Sequence, residues 1–494
     1  MHESVKGRRK LLSGKTIKSI SERWKSEGGY SEVLVLAIPL ILSTGAWSIQ
    51  HFVDRMFLTW YSPEAIAAAM PAGMLNFTIM CLFIGTSGYV NTFVAQYHGA
   101  GMSERIGPAL WQGIYVAGIG GIVLISMIPF AEPIFRFIGH EKLVREYETI
   151  YFQILCLGAA PSVASTALSS FFSGRGKAWP IMWVNFLATL VNLIMDYVLI
   201  FGHFGFPELG IKGAAIATVF SSCFSFLVFF ILVSKRAYNQ RYHTLRGWKF
   251  EYSLFSRLMR FGLPTGVQFL LDIAGFTVFI LLMGRLGIIP LAATNIAFNI
   301  NTLAFMPMIG FGIAMSVLVG QNLGKDKPAL AEKSVYSGFH LAFLYMATIA
   351  LLYVLVPGIF LWPFAAKADP DSFISIREIT VVLLRFIAVY SIFDAMNIIF
   401  ASALKGAGDT RYIMLMVFIL SLILLIIPSY VAVVFFHTGI FVGWTIASLY
   451  IIILGFVFLF RFLGGKWKSM RVIEEAPPSI PSTFPERSAT KFDL

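Results

Sequence analysis

The chain has 494 residues, of which 57% are hydrophobic and 13% are charged, and its formal net charge at pH 7 is +12. Soluble domains carry about 25% charged residues, and a soluble protein of this length could not bury so large an apolar fraction. The mean hydropathy of +0.77 agrees. The composition excludes a secreted domain, a disordered chain and a cytosolic enzyme, and it indicates an all-α polytopic membrane protein.

The N-terminal segment, residues 1–30, is polar and basic. It lacks the short apolar core and small-residue cleavage site of a signal peptide. We therefore predict a basic cytoplasmic N-terminus, followed by a first span that stays in the protein as an anchor.

Twelve stretches are apolar and long enough, at about 20 residues, to cross a bilayer as helices. They cover residues 32–58, 64–95, 106–130, 146–173, 178–202, 212–234, 252–283, 288–320, 329–356, 374–404, 410–436 and 440–463. We expect two lobes of six spans, residues 31–234 and 252–465, joined by a cytoplasmic connection at 235–251. The Pro/Ser-rich tail, residues 466–494, is predicted to be cytoplasmic and disordered.

Lysine and arginine are shared unevenly between the two sides of the predicted bundle. Twenty-nine of the 38 lie on the side of the N-terminus, the connection and the tail, and seven lie on the opposite side. Because basic loops stay in the cytoplasm, both termini are predicted to be cytoplasmic in a bacterial inner membrane. The same bias explains the pI near 9.5 without a nucleic acid partner.

An internal repeat relates the two lobes. At a sequence offset of 225, identical residues pair as Gly85 with Gly310, Gln96 with Gln321, and Gly99 with Gly324. Later in each lobe, Ile216-Ala217-Thr218 matches Ile446-Ala447-Ser448 at an offset of 230. Six spans per lobe bring both lobes into the membrane from the same side. This predicts a pseudo-two-fold parallel repeat about an axis along the membrane normal, as in transporters that carry substrate between two halves.

Six charged residues lie deep in the predicted spans: Asp54, Arg55, Asp196, Asp272, Arg385 and Asp394. A charge near the bilayer centre costs at least about 2.5–3.5 kcal/mol, so such residues commonly face a cavity and act in transport. The carboxylates have no acidic counterparts in the repeat, since Asp54 aligns with Phe279 and Asp272 with Trp47. We interpret this asymmetry as functional specialisation of each lobe.

A candidate cation site lies in the outer half of the first lobe. A rise of about 1.5 Å per residue along a helix places Asp54, Asp196 and Thr218 at similar depth there. Asn192 precedes Asp196 by one helical turn, and Ala214, whose carbonyl could serve as a further ligand, precedes Thr218 by one turn. These hard oxygen ligands suit a small hard cation, and a dry site of this kind can instead hold a proton. The spacing does not choose between Na⁺ and H⁺.

Asp272 and Asp394 form a second candidate site near the midplane of the other lobe, for either a cation or the substrate. The 47 Phe and 19 Met could in part line a cavity that adapts to varied apolar ligands. The histidines form no ligand-spaced cluster, so we expect no metal other than Na⁺. The sequence contains no Walker A pattern, which excludes ATP hydrolysis by that motif.

Several motifs in order resemble one transporter family. They are Ile38-Pro39 with Val53-Asp54, Val94-Ala95-Gln96, Asn192-x-x-x-Asp196, Gly213-Ala214-Ala215-Ile216-Ala217-Thr218, Gly262-Leu263-Pro264, Val319-Gly320-Gln321, Phe393-Asp394-Ala395, and Leu404-Lys405-Gly406-x-Gly408-Asp409-Thr410. Over about residues 30–465, the chain resembles the multidrug and toxic compound extrusion (MATE) transporters, most closely their NorM-like branch.

The resemblance implies a two-lobed, twelve-helix antiporter rather than an enzyme. Such proteins export amphipathic, often cationic, organic compounds in exchange for Na⁺ or H⁺ by rocking between inward-open and outward-open forms. It implies a first-lobe cation site at Asp54, Asn192, Asp196 and Thr218, and acidic residues at Asp272 and Asp394. Asp272 departs from the family pattern, where Glu is usual. We expect a monomer in contact with membrane lipid, with no cofactor besides the coupling ion.

A lipid-linked oligosaccharide flippase of the same superfamily is the alternative. Flippases of this kind tend to line the cavity with basic residues for pyrophosphate. Here the spans hold four Asp against two Arg, which favours a cationic cargo. An intramembrane enzyme, such as a prenyl or glycosyl transferase, is less compatible, because the chain contains no Asp-Asp-x-x-Asp and no His-Glu-x-x-His.

Overall fold

The computed structural model describes residues 22–365 and 370–474, which are helical and, within those ranges, contain no strand. Eleven of the described helices are long and apolar enough to cross a membrane, and a bent helix pair supplies the twelfth. The predicted all-α, twelve-span architecture is confirmed. The predicted basic segment up to residue 21 and the tail from residue 475 lie outside the described residues.

The first lobe contains spans 1 to 6. Their helices are Tyr30–Tyr61 (span 1), Pro63–Gly88 continued by Val90–Gly99 (span 2), Ile106–Ser126 (span 3), Lys142–Leu157 with Ala159–Gly174 (span 4), Trp179–Phe201 (span 5) and Ile211–Val233 (span 6). Short helices at Ala131–Ile138 and Arg236–Tyr242 follow spans 3 and 6.

The second lobe contains spans 7 to 12. Their helices are Tyr252–Gly284 (span 7), Ile288–Gly324 (span 8), Pro328–Leu355 (span 9), Pro370–Ala407 (span 10), Thr410–Leu420 with its continuation to Phe435 (span 11) and Ile440–Leu463 (span 12). The continuation of span 11 is wound as a π-helix on both sides of Pro428, over Ser421–Ile426 and Val431–Phe435.

Local sequence explains where several of these helices begin, end and bend. The Ser62 hydroxyl accepts a hydrogen bond from the Ala65 amide at 3.0 Å, and Pro63 occupies the first turn of span 2, where no amide donor is needed. Gly202 ends span 5 at a positive φ of 71°. Span 4 bends by 42° at Gly158, where Pro161 removes a backbone donor from the following turn.

The lobes pack against each other through spans 1 and 2 of the first lobe and spans 8 and 7 of the second. A Cβ at Gly85 would lie 2.7 Å from Gly266 Cα, and one at Gly310 would lie 2.7 Å from the Ile41 amide nitrogen. The two contacts are related by the offset of 225 in both partners. The repeat therefore places glycine at each crossing, where any side chain would separate the lobes.

We call the end of the bundle that carries Gly29, the inter-lobe connection and Gly464 the basic end, and the other the far end. The inter-lobe hydrogen bonds lie between the basic end and the middle of the bundle. The last of them along span 1 is from Thr44 Oγ1 to the Met306 carbonyl, at 3.0 Å. Among the residues described, none lies further toward the far end, so the lobes are joined at the basic end.

The prediction of a disordered tail over residues 466–494 is wrong for its first part, residues 466–474. The Trp467 side chain is fully buried and stacks on Phe462, with ring centroids 4.8 Å apart. The Val472 amide donates to Gln96 Oε1 at 2.9 Å. These apolar and charged residues precede the Pro/Ser-rich stretch that suggested disorder, which begins only at Ala476.

Candidate functional site

Asp54 and Asp196 meet where span 1 packs against span 5. Asp54 is 7% exposed and Asp196 is fully buried, and their carboxyl groups are close enough for a hydrogen bond when one is protonated. Asn192 is also fully buried. With its amide oriented to satisfy both neighbours, Nδ2 donates to Asp54 Oδ1 at 2.9 Å and to Asp196 Oδ2 at 3.3 Å. The structure therefore brings three of the predicted cation-site residues together.

This arrangement is incomplete without a positive charge. The second Asp196 oxygen, Oδ1, is buried and has no hydrogen-bond partner in the described part of the chain. Two carboxylates in contact away from water repel each other, and a buried polar atom without a partner is costly. A proton shared between the carboxyls, or a small cation bound by their oxygens, relieves both penalties.

Thr218 and Ala214 are placed differently from Asn192. The Thr218 hydroxyl donates to the Ala214 carbonyl of its own helix at 3.0 Å. It makes no hydrogen bond to Asp54 or Asp196 among the contacts of residues 22–365. In the second lobe, the repeat partner Ser448 donates to Trp444 in the same way, at 2.7 Å. This bond is thus a local helix feature of both lobes, and it does not itself join Thr218 to the carboxyl pair.

Tyr151 is a member of this region that the sequence did not single out. It is buried on span 4, close enough to both Asp54 and Asp196 for their charges to act on its hydroxyl. A Cβ at Gly73 would lie 3.7 Å from the Tyr151 ring. One tyrosine in an apolar helix carries no sequence signal, because periodicity does not show which neighbouring helix it faces.

The equivalent region of the second lobe is filled by aromatic rings. The repeat partners of Asp54, Gly73 and Ala214 are Phe279, Phe298 and Trp444. Phe298 stacks on Trp444 with centroids 5.0 Å apart, and Phe279 lies 6.1 Å from Trp444. One lobe thus has a polar site lined by small residues, and the other has a closed apolar cluster at the same place in the repeat.

The second-lobe carboxyls each have an amide neighbour on their own helix. Gln268 Nε2 donates to Asp272 Oδ2 at 2.9 Å, and Asn397 Nδ2 donates to Asp394 Oδ1 at 3.0 Å. Tyr450 of span 12 is buried close to both carboxyls. The structure therefore groups Asp272 and Asp394 around one tyrosine, in a region separate from the Asp54 pair.

Two further residues lie near Asp272. Lys405 at the end of span 10 is close enough to interact electrostatically with Asp272. Cys81 of span 2, in the first lobe, is also close enough to interact electrostatically with Asp272. Asp272 therefore lies beside the inter-lobe interface. The sequence placed Lys405 in a motif but gave it no role, because the distance between spans 7 and 10 cannot be read from spacing.

Comparison with known proteins gives one consistent family. The MatE family model matches residues 39–198 and again residues 264–431, so the two matches begin at Pro39 and Pro264, which the repeat pairs. A probable multidrug resistance protein NorM of Brucella suis is 29% identical over 81% of this chain and 84% of its own length. The multidrug resistance protein PmpM of Pseudomonas aeruginosa is 30% identical over 78% of this chain and 80% of its own length.

A solved structure has the same fold. It is described as the outward-facing conformation of a multidrug resistance MATE family transporter of the MOP superfamily. It superposes with a TM-score of 0.82 at 18% identity and covers 91% of this chain and 98% of its own. The two lobes, the repeated family match and these relatives lead to one conclusion: the chain belongs to the MatE family and is a multidrug efflux transporter of the MATE/NorM kind, not an enzyme.

Proposed function

We propose that the protein exports amphipathic, cationic organic compounds in exchange for Na⁺ or H⁺. The ion binds at Asp54, Asn192 and Asp196, with Thr218 and Ala214 as further oxygen ligands, and the substrate binds in the second lobe near Asp272 and Asp394. The transporter works as a monomer in the bacterial inner membrane, surrounded by lipid. It needs no nucleic acid and no cofactor other than the coupling ion.

The observation that carries this proposal is the difference between the lobes at equivalent positions. The first lobe keeps a buried carboxyl pair, one oxygen of which has no hydrogen-bond partner among the described residues, and the second lobe fills the same place with Phe279, Phe298 and Trp444. A buried carboxylate pair is not needed to hold helices together, because an apolar replacement is often as stable. The second lobe contains that apolar replacement, which supports an ion-binding purpose for the pair.

The proposed cycle places the basic end in the cytoplasm. In that orientation the lobes are joined on the cytoplasmic side, and the Asp54 pair lies toward the outside, where the ion arrives. Ion binding must favour one conformation over the other, because a ligand with equal affinity for both shifts nothing. We propose that the bound ion favours opening of the basic end, where substrate enters and the ion leaves.

The second-lobe region suits the cargo by its charge. Asp272 and Asp394 supply two carboxyls against the single ammonium of Lys405, and the aromatic ring of Tyr450 lies near both carboxyls. Aromatic faces attract organic cations, and carboxylates add charge complementarity. This composition supports a cationic amphipathic cargo over a pyrophosphate-linked sugar.

The test uses purified protein in liposomes, with ethidium as a cationic amphipathic substrate. We expect an outward-directed Na⁺ gradient or proton gradient to drive ethidium uptake into these liposomes by the natural protein. Asp54→Asn should lower the rate of gradient-driven uptake by at least about tenfold, which equals about 1.4 kcal/mol in the activation free energy of transport. Glu141→Gln, which neutralises an exposed carboxylate at the far end of the same lobe, should retain the natural rate. Full gradient-driven uptake by Asp54→Asn would refute the assigned ion site.

A further inference from the structure

The segment Lys466–Glu474, which we call the C-terminal clasp, crosses the basic end of the bundle after span 12. Its first part is fixed to the second lobe. Trp467 is buried against Phe462, Lys468 Nζ lies 2.8 Å from Glu332 Oε2, and Arg471 Nη2 lies 2.9 Å from Asp326 Oδ1. Because every one of these partners belongs to spans 8 to 12 or their loops, the clasp moves with the second lobe.

The last residues of the clasp contact the first lobe. The Val472 amide donates to Gln96 Oε1 at 2.9 Å. The Glu474 carboxylate accepts a hydrogen bond from Tyr97 Oη at 2.8 Å and another from Arg105 Nε at 2.8 Å. Gln96 and Tyr97 end span 2, and Arg105 precedes span 3. Three positions of the first lobe are therefore held by a segment that belongs to the second.

A cluster of charges surrounds Glu474. Arg257 of span 7 also donates to its carboxylate. Arg105 in turn binds Glu251, the last residue of the inter-lobe connection, through both terminal guanidinium nitrogens, at 2.8 Å and 3.0 Å. The guanidinium of Arg105 is thus shared between Glu251 and Glu474. Charge-assisted and bidentate bonds of this kind are stronger than neutral hydrogen bonds, so the cluster is suited to hold two bodies together.

The clasp has no equivalent in the described part of the first lobe. The segment that follows span 6 packs on its own lobe: Tyr242 lies 5.3 Å from the Phe171 ring, and the Trp111 indole donates to the Thr244 carbonyl at 2.7 Å. The repeat alone would give each lobe such a self-packed segment. The second lobe instead sends its segment across the interface, an asymmetry that helix packing within the lobe does not require.

We infer that the C-terminal clasp is a separate part of the gate at the basic end, and that Glu474 must release Tyr97 and Arg105 before this end can open. This inference depends on the proposed alternation between two open ends. In the joined state the clasp adds three hydrogen bonds across the interface. Tyr97 and Arg105 donate to the Glu474 carboxylate, and the Val472 backbone amide donates to the Gln96 side chain. In the opened state those partners separate with their lobes and are hydrated instead.

Glu474→Gln should therefore favour the opened basic end. The neutral amide keeps the size of the side chain but loses the charge that both guanidiniums bind. Since Glu474 is partly exposed, at 28%, water screens part of the interaction. We expect the ratio of opened to joined molecules to rise about three- to tenfold.

The measurement is the distance between two spin labels on the full chain in nanodiscs, read by double electron–electron resonance. The labels are placed by Lys177→Cys in the first lobe and Lys327→Cys in the second, both exposed at the basic end. The three native cysteines are replaced by alanine in all samples. The matched control is Glu27→Gln, which neutralises an exposed carboxylate at the same end of the bundle. The Glu27 side chain makes no hydrogen bond or ion pair among the described residues.

Two outcomes separate the clasp from the wider proposal. Support requires a larger long-distance population for Glu474→Gln than for the natural residue, with the distribution of Glu27→Gln unchanged. Equal distributions for Glu474→Gln and the natural residue would overturn the clasp, provided that ethidium or the coupling ion still shifts the distances. If neither substrate nor Na⁺ nor pH shifts the distances in the spin-labelled protein that keeps Glu474, the proposed alternation is wrong, and so is the inference about the clasp.

Discussion

Gln96 and Gln321 are partners in the internal repeat and make the same bond in opposite directions across the lobe interface. Gln96 Nε2 of the first lobe donates to the Gly406 carbonyl of the second at 2.9 Å, and Gln321 Nε2 of the second donates to the Gly174 carbonyl of the first at 2.7 Å. Both acceptors are the glycines that the repeat pairs at an offset of 232. The basic end is therefore closed by a symmetric pair of bonds.

Removing either glutamine bond should loosen this closure. Gln321→Leu deletes the donor and leaves the Gly174 carbonyl without a partner, at a cost of about 1–3 kcal/mol to the joined state. Gln96→Leu does the same at Gly406 and also removes the acceptor of the Val472 amide. We expect each change to raise the opened population in the spin-label experiment, and the double change to raise it further. Gln153→Leu is the control, because the Gln153 amide donates to the Ile128 carbonyl within the first lobe. An unchanged distribution in both single variants would show that these bonds do not hold the lobes.

The crossing at Gly85 gives a steric prediction. A Cβ there would meet Gly266 Cα at 2.7 Å, closer than side-chain carbons approach backbone. Gly85→Ala should therefore disfavour the joined basic end and slow transport, and Gly310→Ala should act similarly at the repeat-related crossing. Gly118→Ala, in span 3, would place its Cβ in open space, with no atom within 4 Å. Gly118→Ala should therefore transport faster than Gly85→Ala in liposomes, and equal rates for the two variants would contradict the steric account.

Asp272 and Asp394 can be assigned to cargo or to ion by their effect on KM. If they bind a cationic substrate, Asp272→Asn or Asp394→Asn should raise the KM for ethidium about tenfold, equal to about 1.4 kcal/mol of binding. The KM for an uncharged amphipathic substrate should change much less, since it lacks the charge. An equal rise in KM for both substrates, or altered ion coupling at an unchanged KM, would show that the two carboxyls do not bind the charge of the substrate.

The clasp should not respond to pH in the physiological range. Burial alone raises the pKa of Glu474, but its hydrogen bonds, including that from Tyr97, and the guanidiniums of Arg105 and Arg257 outweigh this, so the net pKa lies below the ordinary value. A group with a lowered pKa in the docked state stabilises that state fully above its free pKa, about 4.3. The contribution is lost only as pH falls through the lower docked pKa.

Spin-label distances should therefore be the same at pH 6 and pH 8 when the proposed ion site is disabled by Asp54→Asn. Glu251 binds the same guanidinium, that of Arg105, as Glu474 does. A large opening between these two pH values in that variant would mean that another group, and not Glu474, controls the clasp.

The internal repeat in the sequence paired residues that the structure places on the interface between the lobes. The offset of 225 paired Gly85 with Gly310 and Gln96 with Gln321, and all four lie on the lobe interface. The sequence could not show this placement, because a matched glycine or glutamine can as well pack inside its own lobe. Which neighbouring helix a residue faces depends on helix rotation, and spacing along one helix does not report it.

The candidate ion site was predicted in part for the same reason. Asn192 and Asp196 share one helix face by spacing, Asp54 was grouped with them by depth, and the structure brings the three together. Thr218 was grouped with them by depth alone, yet its hydroxyl bonds to its own helix. Tyr151 had no signal, since periodicity along span 4 does not show which neighbouring helix this tyrosine faces. The clasp was missed because a Pro/Ser-rich composition beginning at Ala476 was extended back over Trp467.

The most direct test of the proposed exchange is whether substrate and ion move against each other. Liposomes containing the natural protein are loaded with Na⁺ at fixed pH, or with protons at fixed Na⁺, and ethidium is added outside while the ion and the dye are followed together. We expect ethidium entry coupled to exit of one of these ions, and loss of both fluxes in Asp54→Asn. Ethidium transport by the natural protein without movement of either ion would contradict the exchange.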